Sequence, residues 1–309
     1  MKILSTGNLN GKKSKYEQLK GIVTVTKPDI LLITGDLFEL DDYNPLFQAE
    51  QLFDVKEYLV GYAKHCEYVL YIFGETDIKH LDPIFNSMVV EDANNIICLN
   101  HENFTYGNHT FVGLPLVGNT DSHLKDWVRF DNLACDIARE GDYTVDIMYD
   151  IHPISDMHKY CEVNRSITEV ILEKLHDVDT DYTIMVSHFP PFLHDYIQGD
   201  DYVNSLSAFI TQIDVLFTGH FLNHDEHNNH YPIVTPIYGG RKSEYRCDII
   251  NHGYFKDDLL FNLNIIKDGV MVYNYHPDKH EEDLFEEAKK WRIYNADTDG
   301  PETSKDCCP

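Results

Sequence analysis

Positive charge is what this chain has least of. Its 309 residues hold 25 Lys and Arg against 52 Asp and Glu, a formal charge of −27 with histidine neutral. That imbalance argues against a broad surface for nucleic-acid phosphates and against anionic membranes, because both would be repelled. Long apolar runs are missing as well, so no segment reads as a membrane-spanning helix. From Met1 the chain enters a strand by Ile3, without a charged leader and apolar stretch. A cytoplasmic, intracellular protein is expected. The seven cysteines are an odd number without metal-ligand spacing, which fits reduced thiols. There is no Gly-rich phosphate loop, Ser nucleophile elbow or Cys-ligand pair, and no Gly/Ser or Pro-rich linker divides the chain.

What is present is a core. Hydrophobic residues make up 43% and aromatics 12%, so the acidity belongs to a folded protein and not to a disordered one. The partner such a surface implies is a protein with a basic face, with bare nucleic acid disfavoured.

Five separated stretches share one pattern: an apolar run of strand length followed at once by ligand-type residues. They are Ile3 to Asn10, Leu31 to Glu39, Tyr71 to Asp77, Ile184 to Pro191 and Val215 to Leu222. Runs closed by Gly-Asn, Gly-Asp, Gly-Glu or Gly-His read as strands buried on both faces whose C-terminal ends open into polar loops. In open α/β sheets, ligands collect at those ends. Taken singly, Gly35-Asp36 is ordinary turn chemistry, and five such stretches in order are harder to assign to turns.

Between these blocks, helical periodicity predicts helices over Lys12 to Thr26 and Phe47 to Lys64, each followed by a strand. Strands alternating with helices imply a parallel sheet. Past residue 93 short strands follow, Asn95 to Leu99 and Thr110 to Pro115, the second after a hairpin turn at Tyr106 to His109. Asp121 to Asp150 lacks a period and is expected to be an irregular helical insertion. Helices are predicted at Thr168 to Leu175 and Leu206 to Ile213. From Ile233 to Tyr275 four antiparallel strands are expected, then a charged helix from Asp278 to Arg292 and a disordered acidic tail.

On these residues the chain resembles the calcineurin-like metallophosphoesterases over roughly residues 1 to 276, with 277 to 309 as the C-terminal helix and tail. The resemblance implies an α/β two-sheet sandwich flanked by helices. It also implies a two-metal site built from Asp-x-His, Gly-Asp-x-x-Asp, Gly-Asn-His-Asp or Glu, a lone His, and Gly-His-x-His. Carried onto this sequence, the first block's Asp and His fall on Asn8 and Asn10, and the bridging Asp is Asp36. The third block's Asn falls on Glu75 and its His on Thr76. The lone His is His188, and the last pair is His220 and Leu222. The losses at Asn8, Asn10 and Leu222 concentrate on one metal, whereas Asp36, Glu75, His188 and His220 would surround the other. Two carboxylates and two imidazoles suit one Mn²⁺, Zn²⁺ or Fe²⁺ ion. Without the second ion the phosphate clamp is lost, and Thr76 cannot act as an acid near neutral pH as an imidazole can.

The expectation is a degenerate member with little or no hydrolase activity, acting as an acidic binding or regulatory module. The competing expectation is a one-metal phosphodiesterase or phosphatase.

Overall fold

The computed structural model describes residues 1–118, 120, 122–131, 138–191, 203–220, 233–239, 245–251, 259, 261–267 and 270–275. The first half runs β1 (Lys2–Thr6), α1 (Lys13–Thr26), β2 (Ile30–Ile33), α2 (Leu46–Tyr62), β3 (Tyr68–Tyr71), α3 (Leu81–Asp92) and β4 (Ile96–Cys98). A middle section follows, with β5 (Phe104–Tyr106), β6 (His109–Leu114), β7 (Tyr143–Val145), β8 (Ile151–Pro153), α4 (Met157–Glu162) and α5 (Ile167–His176). The rest is β9 (Tyr182–Ser187), α6 (Asn204–Ala208), β10 (Val215–Thr218), β11 (Ile233–Gly239), β12 (Tyr245–Asn251), β13 (Phe261–Lys267) and β14 (Val270–Tyr275). The predicted helix over Asp278 to Arg292 and the tail lie outside the described residues.

Two six-stranded sheets form the sandwich, ordered β14-β13-β1-β2-β3-β4 and β11-β12-β10-β9-β6-β5. In the first, β1 to β4 are parallel and β13 runs antiparallel to β1. In the second, β6, β9, β10 and β12 are parallel, with β5 and β11 antiparallel at the edges. This is the α/β two-sheet sandwich flanked by helices that the resemblance implied. The expectation of four antiparallel strands at the end is met only in pairs: β11 with β12 and β13 with β14, the two hairpins closing different sheets.

The strands read as apolar runs because both of their faces are buried. Along β2, Ile30 and Leu32 join Phe111, Ile184, Val186 and Phe217 of the other sheet in one cluster. Leu31 and Ile33 join Tyr16, Leu19 and Val23 of α1 and Leu59 of α2 in the other. Hydrogen bonds then fix the helices to the strand ends. The buried Tyr16 hydroxyl donates to the Leu37 carbonyl at 2.7 Å, and the Tyr62 hydroxyl donates to the Tyr16 carbonyl at 2.8 Å. Tyr62→Phe is therefore expected to lower stability by about 1 kcal/mol. Denaturant titration should show a lower midpoint with unchanged slope, and an unchanged midpoint would remove this tie.

The stretch from Asp121 to Asp150 corrects the sequence reading. Among its described residues there is no helix, only turns, isolated bridges such as Val117 with Val128, and β7 paired to β8. Its order comes from buried polar groups that periodicity cannot report. The Asp126 carboxylate accepts from the Lys79 backbone N–H and from both the Thr144 hydroxyl and the Val145 N–H. The helix predicted over Leu206 to Ile213 is split into α6 and a 3-10 turn, Ile210–Gln212.

Candidate metal centre

The five blocks meet where the parallel strands end. Register aligns Thr6 with Ile33 and Ile33 with Tyr71 in one sheet, and Thr218 with Ser187 in the other, so all five ends lie at the same edge of the sandwich. Glycine lets them touch. Gly35 has φ +106°, and a Cβ there would stand 2.6 Å from His188 Nδ1 and 2.8 Å from Gly74 Cα. At Gly74 a Cβ would lie 2.3 Å from Asp36 Oδ1. Three non-glycine residues here also adopt the left-handed region: Asn8 (φ 54°), Asn10 (φ 50°) and Asp36 (φ 55°). Such conformations persist where the surroundings hold them, and they cluster at functional sites.

His188 is fully buried, and its Nδ1 lies 2.8 Å from the Thr34 carbonyl, which that nitrogen serves as a donor. Its Nε2 therefore faces the centre, 3.4 Å from Asp36 Oδ1, an ion-pair distance without hydrogen-bond geometry. Asp36 Oδ1 also accepts the Thr76 N–H at 3.2 Å. His220 Nδ1 lies 3.5 Å from Glu75 Oε1, and its ring stacks on Phe189 at 4.3 Å. The ligand atoms of Glu75, His188 and His220 all lie within 4.8 Å of one another. Asp36 stands beside this trio, against His188. Glu75 Oε2 and His188 Nε2 are buried without hydrogen-bond partners among the described residues. Unpartnered buried polar atoms on a carboxylate and an imidazole, with a second imidazole beside them, fit one divalent transition ion that would displace the His188 proton.

Electrostatics pair Asp36 with His188. Burial pushes the Asp36 carboxyl up, but the charge of His188, with that of His220 and the hydrogen bond from the Thr76 N–H, outweighs it and brings it down to about 2. Burial likewise pushes His188 down, and Asp36 and Glu75 outweigh that, lifting it to about 9. Glu75 is raised, by burial first and by the nearby Asp36 charge against the pull of His220.

The positions read as losses are tied in chiefly through amide N–H and backbone groups, while the amide oxygens of Asn8 and Asn10 are buried without hydrogen-bond partners among the described residues. The Asn8 amide donates to the Gly219 carbonyl at 2.6 Å, and the buried Lys15 ammonium donates to the Asn8 backbone carbonyl at 2.7 Å. The backbone N–H groups of Asn8 and Asn10 donate to the carbonyls of Gly35 and Asp36. The Thr76 hydroxyl is buried without a partner among the described residues, and its carbonyl accepts from Gln48. Leu222 lies outside the described residues.

Sequence reasoning missed two residues here. Asp77 is fully buried, and its carboxylate accepts from the N–H groups of Leu37, Phe38 and Gly74, tying the loop after β3 to the loop after β2. Burial and the Asp36 charge lift its carboxyl to about 7 against those hydrogen bonds. It sits at the acidic position closing the third block, which was the available signal. Lys15 gave none, since a lysine in α1 reads as solvent-facing.

Solved structures share this architecture. One superposes with a TM-score of 0.53 at 11% identity, over 89% of this chain and 98% of its own. The likeness is one of fold. TT1561 of Thermus thermophilus gives a TM-score of 0.50 at 11% identity, with coverage of 89% and 98%. A dimetal phosphatase from Danio rerio gives 0.46 at 9% identity, with coverage of 86% and 92%. By sequence, the chain matches no protein-family model and none of the curated proteins. Among the described residues, no helix is long and apolar enough to cross a membrane.

Proposed function

We propose that this chain is a degenerate metallophosphoesterase-fold protein with little or no hydrolase activity. It keeps at most one divalent transition metal, Mn, Zn or Fe, held by Glu75, His188 and His220 with Asp36 beside them, and its acidic surface engages a basic protein. The observation that carries this reading is the asymmetry of the centre. On one side a carboxylate and two imidazoles, those of Glu75, His188 and His220, bring ligand atoms within 4.8 Å of one another. On the other, Asn8 turns an amide donor onto the Gly219 carbonyl and a buried ammonium stands at the Asn8 carbonyl. A donor amide and an ammonium are poor company for a second cation.

A bound ion would supply Lewis-acid polarisation of a phosphoryl oxygen. The chain's own residues then do the rest. Thr34 fixes His188 so that Nε2 faces the centre, Phe189 holds the His220 ring, and the Thr76 N–H orients Asp36. Thr76 offers a hydroxyl where an imidazole acid would be needed, so leaving-group protonation is unsupported. The second reading, a one-metal phosphodiesterase or phosphatase, is favoured by the orphaned Nε2 of His188 and Oε2 of Glu75.

Elemental analysis of native protein is expected to give no more than one transition metal per chain, and hydrolysis of a generic phosphodiester with added Mn²⁺ to stay near background. Two tightly held metals would overturn the asymmetry. Robust cleavage abolished by Asp36→Ala or His188→Ala would move the conclusion to the enzyme. A pull-down should recover a basic protein at low salt and lose it as salt rises, since screening shortens the Debye length to about 8 Å at physiological ionic strength.

A further inference from the structure

A cavity of about 480 Å³ opens beside the centre, lined from the loop after β3, the end of β4, the segment after β6 and α5. Its charge balance differs from the rest of the molecule, with four cations against the three carboxylates of Glu102, Glu173 and Asp177 where the whole chain has about twice as many acids as bases. Of fifteen lining residues four are Lys or Arg, in a chain with only 25 such residues among 309. Arg165 is neutralised by its ion pair with Glu173. The other three have no such partner: among the described residues no carboxylate lies within ion-pair distance of Lys79, Arg129 or Lys174.

These three cations are not surface side chains. Arg129 is 5% exposed, and its guanidinium donates to the carbonyls of Asp126 and Val128. The Lys174 ammonium donates to the carbonyls of Leu99 and Asn100 at 2.9 and 3.1 Å. The Lys79 ammonium lies over the Trp127 ring, 5.9 Å from its centroid. Burial pushes both lysines down, Lys174 to about 8, and Arg129 pushes Lys79 down further, against a smaller upward pull from Asp82 on both and from Asp126 on Lys79. Arg129 is buried and the two lysines are half-buried, and the carboxylates of Asp82 and Asp126 act on the lysines only from beyond ion-pair distance, so cations short of a contact partner gather around one cavity. An anion in the cavity would supply that partner.

We propose that this cavity is a binding site for the phosphate group of a small phosphorylated organic molecule. Three cations from three separate segments suit a multiply charged tetrahedral oxyanion, and a guanidinium suits phosphate geometry. The volume far exceeds one phosphate and falls in the ordinary range for small-molecule sites. Trp127 and Leu116 line the remainder and give the organic part an apolar wall. The Trp127 indole N–H is fixed on the Asp77 carbonyl at 2.7 Å, so the wall is held in place. This site does not depend on what the neighbouring centre does, since none of Glu75, His188 and His220 lines it.

The test is calorimetric titration of EDTA-treated full-length protein with inorganic phosphate and with phenyl phosphate, at constant ionic strength against chloride. One site per chain is expected, with phenyl phosphate the tighter ligand. Lys174→Gln and Lys79→Gln should each weaken binding by about tenfold, and the pair together should abolish it, while circular dichroism stays that of the parent. His188→Ala should leave binding unchanged. No heat beyond the chloride control would overturn the site, as would wild-type affinity in both lysine variants. Binding lost in His188→Ala and kept in the lysine variants would place the anion at the centre instead and overturn it equally.

Discussion

Valine in place of Gly35 is expected to destabilise the fold by about 4 kcal/mol. Two effects add at this residue. Its φ of +106° is open to glycine and strained for a β-branched residue, a cost of about 1–3 kcal/mol. Its Cβ would also meet His188 Nδ1 at 2.6 Å and Gly74 N at 2.9 Å, and overpacking of that kind costs about 1–3 kcal/mol more. Gly21 is the control. It lies in α1 with nothing within 4 Å of an added methyl, so Gly21→Ala should stabilise by about 0.5–1 kcal/mol. Chemical denaturation of the two variants reads both effects. A loss under about 1 kcal/mol for Gly35→Val would show that the two sheets are not interlocked at their strand ends.

The second large effect is on stability against pH in chelated protein. His188 has a folded value near 9 against an ordinary 6.5, so its contribution is complete below pH 6.5 and disappears as pH rises through 9. Asp36, held near 2 against 3.8, contributes above pH 3.8 and loses that contribution as pH falls through 2. Both limbs report one buried pair, worth about 2–3 kcal/mol at 1.36 kcal/mol per unit and counted once. Thermal melts of EDTA-treated protein should therefore show a fall below pH 3.8 and a fall above pH 6.5 from this pair, on top of a gradual decline between pH 3.8 and 7 from Asp77, whose carboxyl is raised to about 7. Asp36→Asn should flatten both falls. An alkaline limb that survives this substitution would assign the pairing elsewhere.

The strands that carry the centre were legible because each is an apolar run closed by Gly and a polar residue, and burial on both faces leaves no alternative pattern. Helices α1 and α2 were legible for the complementary reason, one apolar stripe against the sheet. The grouping of these acid and imidazole side chains came with the strands, since Asp36, Glu75, His188 and His220 each stand within four residues of a strand end. What escaped was built from distant partners. Asp126 organises residues 122–131 and 143–145 by accepting from Lys79, Thr144 and Val145. No local period encodes that. Lys15 reads as a solvated helix residue until the fold closes over it at 1% exposure. The cations of the cavity are scattered over positions 79, 129 and 174 and form a group only in three dimensions.

The loop after β3 is held by the Asp77 carboxylate through three backbone N–H groups, two of them from the loop after β2. None of those bonds uses a residue assigned to the metal. The two loops are thus clamped by groups other than the side chains that face the centre, so exchanging the side chain of Asn10 or Thr76 leaves these three bonds in place. The concavity can keep its form while the chemistry lining it changes.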